Sequence, residues 1–136
     1  MMDVLAAIYC ERMDVPACLL ANDAAVVGSL LNVVGGGWEH FAVPRFPASI
    51  TGWLAGLFEL GAAERGTDQL VDINVVTRDG VELGKQSFIV NDVSRLVPFA
   101  KQFSVVVVES GTIEVNLSVN GTLARSAPCE VKLIEP

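Results

Sequence analysis

The segment Thr112-Ile-Glu-Val-Asn-Leu-Ser-Val119 alternates polar and apolar residues and runs directly into Asn120-Gly121. Period-two alternation puts Ile113, Val115, Leu117 and Val119 on one face and polar side chains on the other, the pattern of a half-buried β-strand. Asn-Gly then supplies the two positive φ angles of a type I′ hairpin turn. Together they leave little freedom, because a slip of one residue would turn all four apolar side chains to solvent. The same pattern recurs at Val71-Asp-Ile-Asn-Val75, followed by Asp79-Gly80.

The remaining segments read in the same way. Residues 17–21 form a first strand after Pro16, with Asn22-Asp23 as polar punctuation and Val26-Val27-Gly28-Ser29 as a turn. Residues 30–34 form a strand stopped by Gly35-Gly36-Gly37, and 38–43 return as a strand before Pro44-Arg-Phe-Pro47. In residues 50–60, Ile50, Leu54 and Phe58 fit one helix face and one strand face equally well. Gly52 and Gly56 weaken a helix, so the stretch is read as a strand. A polar loop over 61–68, a hairpin of 70–77 with 81–90, and an irregular stretch over 91–100 containing Pro98 follow. Val105-Val-Val-Val108 lacks polar alternation, which predicts a strand covered on both faces. Residues 122–125 and 129–134 close the chain on either side of Pro128.

About eight short strands with turn signals roughly every 8–12 residues predict an antiparallel two-sheet β-sandwich, Ig-like or jelly-roll-like. Residues 1–12 precede it as a short helix or arm, with Val4, Leu5, Ile8 and Tyr9 on one face. A helix of about ten residues is marginal alone in water, so Leu5, Ile8 and Tyr9 are expected to contact the body or a neighbouring subunit. Residues 13–136 are expected to be a single domain.

Composition narrows the partners. The net charge is −7, with 9 basic residues against 16 acidic ones, and the basic residues are scattered. Nucleic acid and anionic membranes require clustered lysine and arginine to displace counterions, so neither is expected as a partner. No stretch approaches the roughly 18 apolar residues of a membrane span. The opening Met1-Met-Asp-Val-Leu-Ala-Ala-Ile-Tyr9 lacks the basic start of a signal peptide, so a cytoplasmic location is expected and the sequons at Asn116 and Asn120 are incidental. Counting glycine and omitting tyrosine, about 59% of the residues are apolar, against about 45–50% in soluble domains. A small domain has too little interior for that much apolar surface, which predicts a homo-oligomer or another protein partner.

Groups able to do chemistry are sparse. His40 is the only histidine, which excludes multi-histidine metal sites and leaves one candidate general base. Cys10, Cys18 and Cys129 are odd in number, lack CxxC spacing and read as reduced structural thiols. The run 35–37 has no lysine-serine or lysine-threonine pair and is not a phosphate-binding loop; a bulge or tight corner is the commoner role for such glycines. Glu59, Glu64, Asp68 and Asp72 lie close in sequence but form no Ca²⁺-loop motif, so a solvated face is expected. Trp38 and Trp53 would suit a sugar-stacking platform or, more commonly, a core. No catalytic residue, metal or cofactor is expected. The candidate ligand contacts are Gly36, Gly37, Trp38 and His40.

Several segments carry a family likeness: Leu19-Leu-Ala-Asn-Asp23, Leu31-Asn-Val-Val-Gly-Gly-Gly-Trp38, Leu96-Val-Pro-Phe99 and the hairpin strand ending Val119-Asn-Gly121. On these the chain resembles a family of small uncharacterised all-β proteins of bacteria and their phages, over about residues 13–136. The resemblance implies the fold, carries over no catalytic residue, and leaves 1–12 outside as an arm for assembly. The expected function is a non-catalytic interaction or structural module that self-associates, virion-associated if phage-encoded. The alternative is a small-molecule-binding or sequestering protein with a pocket near Trp38 and His40.

Overall fold

The computed structural model describes residues 13–134. The arm with Leu5, Ile8 and Tyr9 therefore lies outside the described residues. Nine strands follow one another: β1 (Asp14–Val27), β2 (Leu30–Gly36), β3 (His40–Val43), β4 (Ala48–Glu59), β5 (Gln69–Thr77), β6 (Glu82–Val90), β7 (Leu96–Val107), β8 (Gly111–Val119) and β9 (Thr122–Leu133). They build one sheet in the order β2-β1-β4-β7 and another in the order β3-β9-β8-β5-β6. The described residues contain no helix, and so none long and apolar enough to cross a membrane.

Strand β8 is as its alternation requires: Ile113, Val115, Leu117 and Val119 are all buried. Asn120 and Gly121 take φ angles of 50° and 86°, the pair a type I′ turn needs. The Asn120 side chain also ties this turn to β5: its Oδ1 accepts from the Leu70 amide at 2.9 Å, and its Nδ2 donates to Gln69 Oε1 at 2.8 Å. Strand β4 resolves the helix-or-strand ambiguity. It pairs with β1 and β7, and Ile50, Leu54 and Phe58 point into the core. Those three meet Val71, Ile73, Val115, Leu117 and Val131 of the other sheet in a single apolar cluster.

Several expectations are corrected. Asn22-Asp23 does not end the first strand, because β1 runs on to Val27 and pairs with β2 over that length. The turn there is Gly28-Ser29, with φ angles of 57° and 65°. Asp79-Gly80 is not a type I′ pair: only Gly80 has positive φ (89°), and the Thr77 amide donates to the Val81 carbonyl across a longer, bulged loop. The stretch 91–100 is only half irregular, since β7 begins at Leu96 and includes Pro98. Proline is tolerated there because β7 is an edge strand, some of whose amides face no neighbour. The same holds for Pro128, inside an unbroken β9 whose 122–129 portion pairs with β8 alone. Val105 and Val107 are buried but Val106 and Val108 are 55% and 71% exposed, so the valine run is covered on one face, not two. Finally, the sheets are not wholly antiparallel: β3 runs parallel to β9, pairing His40 to Val43 with Glu130 to Leu133. The chain leaves β2 in one sheet and arrives at the edge of the other, so turn chemistry does not dictate its direction there.

Candidate functional site

The glycine run makes a corner. Gly35 and Gly37 have φ angles of 62° and 89°, and the amides of Gly37 and Trp38 both donate to the Leu20 carbonyl, at 2.7 and 3.3 Å. Trp38 is held on the spot: its Nε1 donates to Asn22 Oδ1 at 2.7 Å, and its ring lies 5.0 Å from that of Phe41. The tip of the indole rests on Gly52, where an added Cβ would lie 2.6 Å from Cη2. Gly52 shares the inward face of β4 with Ile50 and Leu54, whereas Trp53 is on the opposite face. The two tryptophans therefore make no common platform. His40 is exposed on β3, its Nδ1 3.5 Å from Glu130 Oε2. Gly36, Gly37, Trp38 and His40 line none of the depressions beside β6 and β7, between β5–β6 and β7, at the start of β1 and β9, or around Thr77–Asp79 and Val107–Ile113.

The acidic residues diverge. Glu64 accepts from the backbone amides of Met13 and Gly61, fastening the start of β1 to the loop. Asp68 accepts from Asn91, Asp72 from Ser87, and Glu59 pairs with Arg95. No cluster of three metal-ligating side chains occurs among the described residues.

Burial raises both described thiols above their ordinary value. Burial, opposed by the nearby Arg125 cation, pushes Cys18 up from 9.0 to about 11, and Cys129 is raised by burial and by Glu130. At pH 8 a shift of that size leaves about 100-fold less Cys18 thiolate than an ordinary thiol has, so native Cys18 should react with a disulfide reagent about 100-fold more slowly than in denaturant. Equal rates would contradict its burial. Because the folded state holds this proton more tightly than the unfolded chain, the stability involved is complete below about pH 9 and lost as pH rises towards about 11.

Two features stand out that the sequence did not single out. The first is a cleft of about 330 Å³ opening beside β6 and β7. Its floor is Phe58, fully buried and stacked on Phe99 at 4.3 Å, with Phe88 at 6.2 Å. Lys101 Nζ sits 4.4 Å from the centroid of the Phe88 ring. The phenylalanines come from β4, β6 and β7, so no local pattern reveals their convergence.

The second feature is β2 itself. It is an edge strand, and Leu30, Val33 and Val34 are 70%, 36% and 64% exposed, as are Val26 and Val27 across the hairpin at 44% and 62%. Other edges carry guards against pairing: Pro98 and Lys101 on β7, Glu82 and Lys85 on β6, and a mere four residues in β3. Leu30-Leu-Asn-Val-Val-Gly-Gly36 has neither charge nor proline.

Comparison with curated proteins returns no match. Among solved structures, the chain is similar to the crystal structure of a glycosyl hydrolase family 2 member from Bacteroides cellulosilyticus, with a TM-score of 0.47 and 6% identity. That likeness covers 65% of this chain and 13% of the other. Residues 16–132, from the third residue of β1 to the penultimate residue of β9, match the family of unknown function DUF6941, and the chain belongs to that family.

Proposed function

We propose that the protein is a non-catalytic association module, built as a two-sheet sandwich, that pairs with copies of itself through the β1–β2 hairpin. The observation that carries this reading is the unguarded apolar edge of β2. A strand edge offers a row of unsatisfied amides and carbonyls, and natural proteins blunt such edges unless they are used. Here three large apolar side chains, Val27, Leu30 and Val34, share one exposed face of the hairpin, where burial against a second copy would remove them from water. Two copies meeting edge to edge about a two-fold axis would join their four-stranded sheets into one. The dispersal of the titratable groups supports association rather than catalysis.

Light scattering tests this. The full chain is expected to run as an oligomer, and Val34→Lys, which places a gatekeeper charge on an exposed position, is expected to shift it to monomer without lowering the melting temperature. A monomeric full chain ends the proposal. An oligomer indifferent to Val34→Lys removes β2 from the contact, and a chain beginning at Met13 then reports whether residues 1–12 make it instead.

A further inference from the structure

We infer that the cleft beside β6 and β7 is a binding site for a small organic carboxylate with an aromatic or compact apolar body. Ligand sites are concave, largely apolar and furnished with a few polar groups that fix orientation. This cleft is concave and mixed in lining: Phe88, Ile89, Val97 and Val26 offer apolar surface over the buried Phe58 and Phe99, Asn91 adds a polar group, and Lys101 supplies a cation. At about 330 Å³, and taking roughly 30 Å³ per heavy atom as for water, it holds a ligand of about a dozen heavy atoms.

The charge of the ligand follows from Lys101. In a chain of net charge −7, lysines have carboxylates to choose from, yet among the described residues no Asp or Glu lies within ion-pair distance of this one. Its ammonium instead rests over Phe88, which keeps it at the cleft while leaving its N–H donors available. No carboxylate lines the cleft, so nothing there repels an anion. The body of the ligand follows from the rings. Offset or edge-to-face stacking on the half-buried Phe88 favours a flat or compact apolar group, and a carboxylate on its rim would reach the Lys101 ammonium. The cleft lies along β6 and β7 and meets the β1–β2 hairpin at Val26, so the two sites are neighbours that share that one side chain.

Benzoate, with benzamide as its uncharged counterpart, is the probe. Titrated into the ¹⁵N-labelled full chain, benzoate is expected to give saturable amide shifts confined to residues 88–91 and 97–101, in the millimolar range that a ligand this small can reach. Benzamide is expected to bind about fivefold more weakly, the size of effect a partly exposed charge pair supports. Lys101→Gln, a change at a partly exposed position, should bring benzoate down to the level of benzamide while the spectrum stays dispersed. Absence of saturable shifts, shifts centred elsewhere, or equal binding of benzoate by the native and Lys101→Gln chains would each overturn the assignment.

Discussion

Phe58→Ala is expected to lower the free energy of unfolding by about 3–5 kcal/mol, the range for deleting a buried aromatic side chain. Phe58 has no exposed surface, stacks on Phe99 at 4.3 Å and faces Phe88 at 6.2 Å, so it joins β4 to β7 within its own sheet and to β6 of the other. Alanine would remove the transfer energy of the ring and leave a void whose walls belong to three strands fixed by their own ladders. The backbone cannot collapse into it, which puts the loss toward the upper end. A domain of this size has about 5–15 kcal/mol in all, so the variant should melt roughly 15 °C lower and sit close to the folding threshold. Val106→Ala is the control: its side chain is 55% exposed, and a change within about 0.5 kcal/mol is expected. Chemical denaturation of both variants decides the matter. A loss below about 2 kcal/mol for Phe58→Ala would mean that the ring does not bridge the sheets.

Gly56→Ala is expected to cost about 3 kcal/mol or more, although it adds a single methyl group. A Cβ at Gly56 would lie 2.0 Å from the Ala17 carbonyl oxygen, 2.9 Å from its carbon and 3.0 Å from Cys18 Cα. All three are backbone atoms, brought close where the β1–β4 ladder shifts register between Asp14 and Ala17. A side chain can swing away, but a strand paired on both sides cannot move without breaking its bonds. Gly52→Ala provides the comparison. Its Cβ would meet the Trp38 ring at 2.6 Å, but the indole is partly exposed and held by one side-chain hydrogen bond, so it can tilt. About 1–2 kcal/mol is expected there. If the two alanine variants unfold at the same denaturant concentration, the close backbone approach at Gly56 is not what the glycine serves.

The candidate sites were legible to very different degrees. Trp38 and His40 attracted notice because their residue types are rare in this chain, yet the structure uses Trp38 as a prop over Gly52 and leaves His40 at the surface beside Glu130. Phe58, Phe88, Phe99 and Lys101 are unremarkable in sequence, separated by 30 residues between the first two, and become neighbours only when β6 and β7 come together. Phe99 did lie in a segment that carried the family likeness, but that segment gave no hint of its partners.

What the sequence by itself determined is whatever depends on one strand and its turn. The faces of β8, the type I′ geometry at Asn120-Gly121 and the strand state of β4 follow from alternation, positive-φ chemistry and glycine placement, all properties of a few consecutive residues. What only the tertiary structure decided is which faces and edges are left over once the strands are ordered. Val106 and Val108 read as buried because valine runs mark central strands, yet among the described residues no layer covers the outer face of β7 at Val106, and Val108 lies just past its end. Pro98 reads as a break because proline cannot join a ladder on both sides, yet an edge strand has one side to spare. β2 is an exposed apolar edge rather than a core strand for the same reason. Side-chain period is a local quantity, but burial is set by what packs opposite, and strand order across two sheets leaves no mark on any single segment.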